Sequence, residues 1–289
     1  MSRLKGVIGL LLLGALSGCQ GLGMNMRLQA TQDLLTSSGF VAETIKTDPF
    51  LMRIHTPARV KLHPVKVLTL YIEGDGFVSS DGRHTSMDPT PKNPVALALA
   101  TAHPASLGLA VHLARPCHYL RVANGPLCQP RFWDRARYAE EMVQALNQVV
   151  DQLVARYQPE QLYLVGFSGG GALAALIATR RDDLSGWVTV AGNLAHNVWT
   201  QRQGLAPLKG SLDPLDVAVS LRTQPQVHVV GEEDKVITPH VARAFLHQAQ
   251  LKADRHLHII PGQDHACCWM SVWPEMAQHI WRQWQGNRP

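Results

Sequence analysis

Tyr163-Leu164-Val165-Gly166-Phe167-Ser168-Gly169-Gly170-Gly171-Ala172-Leu173-Ala174-Ala175-Leu176 is the stretch on which the reading of the whole chain turns. A β-type apolar run enters a Gly-x-Ser-x-Gly pattern and leaves it as a helix-forming run, which places Ser168 on a sharp turn between a strand and a helix. The glycines have a physical task there. The helix backbone must pass close to the strand, and side chains at Gly166 or Gly170 would collide. At this chain's Gly and Ser frequencies a chance match to the five-residue pattern is expected about 0.08 times, before the flanking strand and helix are counted. The other reading of the same residues is a serine that merely caps a glycine-rich helix.

Outward from this point the chain alternates. Upstream, Val65 to Glu73 is a short apolar run ending in Gly74-Asp75-Gly76. Pro94 to Ala102 follows as a helix, Ser106 to Ala114 as a buried strand, and Asp134 to Tyr157 as a long amphipathic helix. Downstream come strands at Trp187–Ala191, Gln226–Val230 and His256–Ile260, with a helix at Pro239–Leu251. A last helix carries Trp269, Trp273, Met276, Ile280 and Trp284 on one stripe, which reads as core rather than as a binding platform. Strand and helix in alternation predict an α/β fold: a mostly parallel central sheet with helices on both faces. Neither an internal repeat nor a low-complexity tract interrupts it.

A nucleophilic serine needs a base, and the base needs an orienting acid. The penultimate strand runs into Gly231-Glu232-Glu233-Asp234, and the last strand into Pro261-Gly262-Gln263-Asp264-His265. The order Ser168, Asp234, His265 with this spacing resembles the α/β-hydrolases, over about residues 40 to 285. The resemblance implies Ser168 as nucleophile, His265 as general base and then acid, and Asp234 as the residue that orients the imidazole. Glu232 and Glu233 beside Asp234, and Asp213 and Asp216 upstream, are the other candidate acids. Asp264 is too near His265 in sequence to orient it. Of the 14 histidines, His265 alone follows the last strand by a short loop and precedes the last helix.

The same resemblance places an oxyanion hole on two backbone N–H groups, those of Gly169 and of Asp75. Here the chain departs from the family. Glu73 stands where a histidine is usual, and Asp75 brings a carboxylate to an anion site, so its side chain must turn away, pair with a cation, or hinder turnover. Arg83, His84 and Arg115 are the candidate partners.

At the other end, Arg3 and Lys5 precede an apolar stretch, Gly6 to Leu16, too short for the roughly 20 residues a spanning helix needs. It reads as an export signal. Leu16-Ser17-Gly18-Cys19 resembles the lipobox of bacterial lipoproteins, which implies cleavage after residue 18 and a diacylglyceryl, palmitate-bearing Cys19; an ordinary signal peptide is the alternative. Residues 1–18 are then a signal, 19–39 a tether and lead-in, and 40–289 a single hydrolase domain. Gln20 after the cysteine points to the outer membrane, facing the periplasm.

Composition narrows the partners. The chain has 289 residues, 46% hydrophobic and 17% charged, enough to bury a sizeable core. Its formal charge of +5 falls to about +3 once Arg3 and Lys5 are removed, and no basic run remains, so nucleic acid is not an expected partner. Export puts the remaining cysteines in an oxidising compartment. Cys117 and Cys128 flank a loop with Asn124-Gly125-Pro126 and are expected to form a disulfide bracing a pocket loop, with Arg131-Phe132-Trp133 roofing the site. Cys267 and Cys268 are expected to stay unpaired, because a ring of adjacent cysteines would disturb the loop of His265. No His/Cys spacing suits zinc, and the resemblance implies no metal and no cofactor.

The expected activity is hydrolysis of a carboxylic ester or related acyl bond of a small-molecule or acyl substrate. A serine peptidase is the enzymatic alternative, and a silent hydrolase scaffold acting as an envelope interaction lipoprotein the non-enzymatic one. No long hydrophobic lid insertion is evident; residues 115–133 and 192–219 are irregular stretches placed to shape a pocket.

Overall fold

The computed structural model describes residues 27–60, 64–79 and 84–286. The signal segment, Cys19 and Arg83 lie outside the described residues. Eight strands form one sheet: β1 (Phe40–Lys46), β2 (Leu51–Pro57), β3 (Val67–Ile72), β4 (Leu109–Leu113), β5 (Gln161–Phe167), β6 (Leu184–Val190), β7 (Gln226–Gly231) and β8 (Leu257–Ile260). Their order across the sheet is β1-β2-β4-β3-β5-β6-β7-β8. β2 runs antiparallel to both of its neighbours, and every pair from β4 to β8 is parallel. The expected fold class is therefore the observed one.

Two cores sandwich this sheet, and the pleat sorts residues between them. Leu68, Leu70 and Ile72 of β3 and Leu162 and Leu164 of β5 face one core, together with α4 (Glu140–Tyr157), α5 (Gly169–Ala178) and Phe245 of α7 (Pro239–Gln248). The alternate residues, Val67 and Tyr71 of β3 and Tyr163 and Val165 of β5, face the other. That second core holds Leu35 from the helical residues 27–38 (α1), α2 (Val95–Thr101) and α9 (Trp269–Gly286). The tryptophan stripe of α9 packs as core: Trp269, Trp273 and Trp281 are fully buried, and the Trp273 indole N–H donates to the Tyr71 hydroxyl at 3.0 Å. Shorter pieces complete the set: α3 (Arg121–Asn124), α6 (His196–Gln203) and α8 (Ala253–His256).

One boundary and one packing position differ from expectation for reasons visible in the structure. The long helix begins at Glu140, not at Asp134. The segment before it spends its polar groups on tertiary partners: the Arg137 carbonyl accepts from Arg115, and the Tyr138 carbonyl accepts from Leu212 N–H at 3.0 Å. Phe132 and Trp133 also depart from the expected roof over the site. Both are buried in the first core, Phe132 edge-on to Phe50 at 6.0 Å and Trp133 donating to the Ser86 carbonyl at 2.8 Å.

Candidate active site

Every candidate catalytic group hangs from the carboxyl end of a parallel strand. Ser168 follows β5 directly and adopts φ 52° and ψ −119°, a left-handed conformation that a non-glycine residue holds only when its surroundings over-determine it. Those surroundings are present. Ser168 N–H donates to the Val190 carbonyl at 2.9 Å, and its own carbonyl accepts from Gly171 at 2.9 Å and from Asn193 at 3.0 Å. A Cβ on Gly166 would fall on the Gly170 carbonyl, and one on Gly170 would fall on the Ile72 carbonyl. The glycines thus let α5 start hard against β3 and β5. Ser168 stands at the helix N-cap position but makes no capping bond; its hydroxyl goes elsewhere.

That hydroxyl donates to His265 Nε2 at 3.0 Å, and His265 Nδ1–H donates to Asp234 Oδ2 at 2.9 Å. The other carboxylate oxygen of Asp234 accepts from the N–H groups of Val236 and Ile237, each at 2.8 Å. Asp234 is 3% exposed, whereas Glu232 and Glu233 face solvent, so burial singles out one acid of the three. Asp213 is occupied in another place, accepting from Leu215 N–H at 3.0 Å and His196 N–H at 3.2 Å. Asp264 turns its carboxylate to the N–H groups of Ala266 and Cys267 and so shapes the turn after His265.

The loop after β3 carries the residues that broke the family pattern, and both have structural partners. Glu73 is buried, and its carboxylate accepts from Gly74 N–H at 2.9 Å, from Ala96 N–H at 3.3 Å and from Leu97 N–H at 3.4 Å. It caps α2 from outside, where Pro94 in the capping position offers no side-chain acceptor. Asp75 pairs with two cations. Arg115 bonds its Oδ1, Arg137 Nη1 donates to Oδ2 at 2.7 Å, and the Tyr138 hydroxyl donates at 2.9 Å. Burial alone would raise the Asp75 carboxyl pKa, but the charges of Arg137 and Arg115 with their hydrogen bonds hold it well below the usual carboxylate range. Of the cations expected for this role, Arg115 is present and Arg83 lies outside the described residues. Arg137 was not foreseen; nothing in its spacing marks it.

Asp75 also explains the residue after the nucleophile. A Cβ on Gly169 would fall on Asp75 Oδ1, so the carboxylate occupies the space that any side chain at 169 would need. The backbone N–H groups of Asp75 and Gly169 donate to no protein acceptor among the described residues. Replacing Asp75 by Asn should leave Arg115 and Arg137 as uncompensated buried charges. The expected loss is about 3 kcal/mol of unfolding free energy, read from urea denaturation monitored by tryptophan fluorescence.

The cysteines divide. Cys117 and Cys128 are joined, Cα atoms 5.6 Å apart, and the bridged loop sets His118 against Gly76 beneath the site. Cys267 and Cys268 are also joined, which corrects the expectation that they stay free. The turn absorbs the ring. Cys268 takes a left-handed φ of 72°, the segment is exposed, and His265 keeps both of its bonds.

Ser168 and His265 open into a cleft of about 380 Å³ whose walls include Phe77, Arg137, Asn193 and Trp199. A second lobe of about 480 Å³, lined by Cys267, Cys268 and Met270, shares Asn93, Val95 and Ala266 with it. Asn193 and Trp199 belong to the irregular stretch after β6 that was expected to shape a pocket; their individual roles had no sequence signal.

No protein-family model and no curated protein matches the sequence. Solved structures do match by shape. Est1E from Butyrivibrio proteoclasticus aligns with a TM-score of 0.57 and 15% identity, covering 85% of this chain and 99% of its own. A serine hydrolase without lid from Xanthomonas campestris aligns at 0.55 and 16% identity over 86% of this chain and 97% of its own. The Pyrococcus furiosus esterase Pf2001 aligns at 0.58 and 11% identity over 88% and 92%. With the strand order, the antiparallel second strand and the strand-turn-helix at Ser168, these likenesses establish that the chain has the α/β-hydrolase fold.

Proposed function

We propose that this protein is a serine hydrolase that cleaves a carboxylic ester through an acyl-enzyme. The observation that carries the reading is the unbroken chain of hydrogen bonds from Ser168 Oγ through His265 to a buried Asp234. In the first half-reaction His265 Nε2 takes the Ser168 proton as Oγ attacks the ester carbonyl. The carbonyl oxygen becomes an oxyanion facing the N–H groups of Gly169 and Asp75. Collapse expels the alcohol, which receives the proton from His265, and leaves an acyl group on Ser168. Water, deprotonated by the same imidazole, then releases the acid. Asp234 keeps the ring N–H on Nδ1 throughout and stabilises the transient imidazolium.

The ester is favoured over other acyl bonds by the similarity in shape to the Pyrococcus furiosus esterase. Labelling by a fluorophosphonate probe, lost in Ser168→Ala, followed by turnover on a panel of esters and peptides, tests the proposal. Labelling without turnover of any ester would turn it toward the peptidase reading, and no labelling at all toward the silent scaffold.

The proposal extends to location. A diacylglyceryl group on Cys19 would anchor the enzyme to the bacterial cell envelope, with the outer membrane indicated by Gln20. Each buried methylene contributes about 0.8 kcal/mol, so two acyl chains hold a chain firmly on a bilayer. Wild-type protein is expected in the membrane fraction and Cys19→Ser as unprocessed precursor. Recovery of the wild type entirely in the soluble periplasm would overturn the anchor.

A further inference from the structure

Polar atoms buried without a partner are rare in folded proteins, and each calls for an explanation. Two such side chains stand on one wall of the cleft beside Ser168. Asn193 is 1% exposed, and neither its Oδ1 nor its Nδ2 has a hydrogen-bond partner among the described residues. Its backbone N–H donates to the Ser168 carbonyl at 3.0 Å, which fixes the Asn193 backbone next to that of the nucleophile. Trp199, from α6, is also buried, and its indole Nε1–H has no acceptor. Arg137 completes the wall. Its guanidinium carbon lies 5.8 Å from the Trp199 ring centroid, its Nε donates to the Asp134 carbonyl at 2.6 Å, and its Nη1 is held by Asp75. Nη2 donates to no acceptor among the described residues. All three residues line the cleft that contains Ser168 and His265.

The chemistry of this wall is one-sided. Arg137 Nη2, Trp199 Nε1 and Asn193 Nδ2 are donors, and only the Asn193 oxygen accepts. Charge points the same way. Arg115, Arg137 and Lys92 carry three positive charges against the two carboxylates of Asp75 and Glu73, which leaves an excess of one. A net positive charge and a set of unused N–H donors call for an anionic acceptor with several lone pairs. A plain alkyl chain would leave every one of these groups unpaired, at a cost that counts against its binding.

We infer that Asn193, Trp199 and Arg137 form a recognition subsite for a carboxylate carried by the substrate, a few atoms from the scissile ester. The inference rests on the hydrolase reading above and narrows it: the preferred substrate is a half-ester of a dicarboxylic acid, not an ester of a simple fatty acid. Trp199 and Asn193 are specificity residues here, and Arg137 serves both the subsite and the Asp75 pair.

The experiment compares mono-4-nitrophenyl adipate with 4-nitrophenyl hexanoate, which match in chain length and differ in the terminal carboxylate. Wild type is expected to favour the adipate in kcat/KM by about tenfold or more, the effect of one charge-assisted hydrogen bond in a dry site. That preference should shrink toward unity in Trp199→Phe and in Asn193→Leu, whose folding is checked by thermal melting. Equal kcat/KM for the two esters in wild type would overturn the subsite while leaving the hydrolase standing. A measurement without turnover separates the two readings. Calorimetric titration of Ser168→Ala with monoethyl adipate should show binding that weakens about tenfold when Trp199→Phe or Asn193→Leu is added, and weaker binding of diethyl adipate. Equal affinity for the monoethyl and diethyl compounds, or affinity untouched by either substitution, would overturn the inference and mean that solvent alone satisfies the wall. Binding of monoethyl adipate in a protein that hydrolyses no ester would keep the subsite and overturn the hydrolase.

Discussion

Ser168→Ala is expected to abolish ester turnover, lowering kcat by about 10⁴ to 10⁶-fold while the melting temperature stays near that of the wild type. The size of the effect follows from interdependence. Without Oγ there is no covalent acyl intermediate, His265 has no proton to take, and what remains is the modest gain from binding an ester beside two N–H donors. Folding is spared because the hydroxyl caps nothing: the turn is held by the backbone bonds to Val190, Gly171 and Asn193 and by the glycines around it. Progress curves with 4-nitrophenyl esters, run beside circular dichroism melts, check both halves. Turnover within tenfold of wild type would move the nucleophile elsewhere.

Asp234→Asn carries the second largest expected loss, about 10⁴-fold in kcat near neutral pH. The two backbone donors hold the amide oxygen, which turns the NH₂ toward His265 and removes the acceptor that the imidazole needs on Nδ1; the flipped amide would keep that acceptor only by setting its NH₂ against the Val236 and Ile237 N–H groups. The ring then turns its lone pair away from Ser168, and the imidazolium formed in the transition state has no buried carboxylate beside it. Glu232→Gln and Glu233→Gln should each change kcat less than twofold, since both side chains face water. The three variants form one test, read as the pH dependence of kcat/KM. A flattened profile with a low plateau in Asp234→Asn alone places the acid, and equal losses at all three positions would displace it.

The sequence was most legible where backbone geometry forces residue identity. A strained turn that carries a serine among glycines leaves a mark that one chain suffices to show, and the two loops that deliver Asp234 and His265 are located by the strands before them. The antiparallel strands were not legible. In β1 only Phe40 and Ile45 are buried, so the alternation a strand should display is missing, and in β2 the buried set includes His55 and Thr56. His55 and His112 share a hydrogen bond of 2.9 Å across β2 and β4, an arrangement that reads in sequence as surface rather than core. Arg137, Asn193 and Trp199 escaped for a related reason. Arg137 lies in a run that has the helical period without being helical, and the other two follow β6 in a stretch where no local pattern constrains identity. Their significance exists only once distant segments are brought together. Cys267 and Cys268 pair against the general expectation for a ring of adjacent cysteines because the exposed turn they occupy accommodates one.

The carboxylate of Asp75 fills the space above Gly169, and its charge is matched by Arg115 and Arg137. Four positions spread along the chain are therefore a single inherited choice. A relative bearing even an alanine at 169 has no room for the acid at 75, and without the acid two guanidiniums repel each other under the nucleophile. Such a lineage must exchange all four residues or none, so this combination should travel through descent as a block and mark a branch of the fold more sharply than the serine itself.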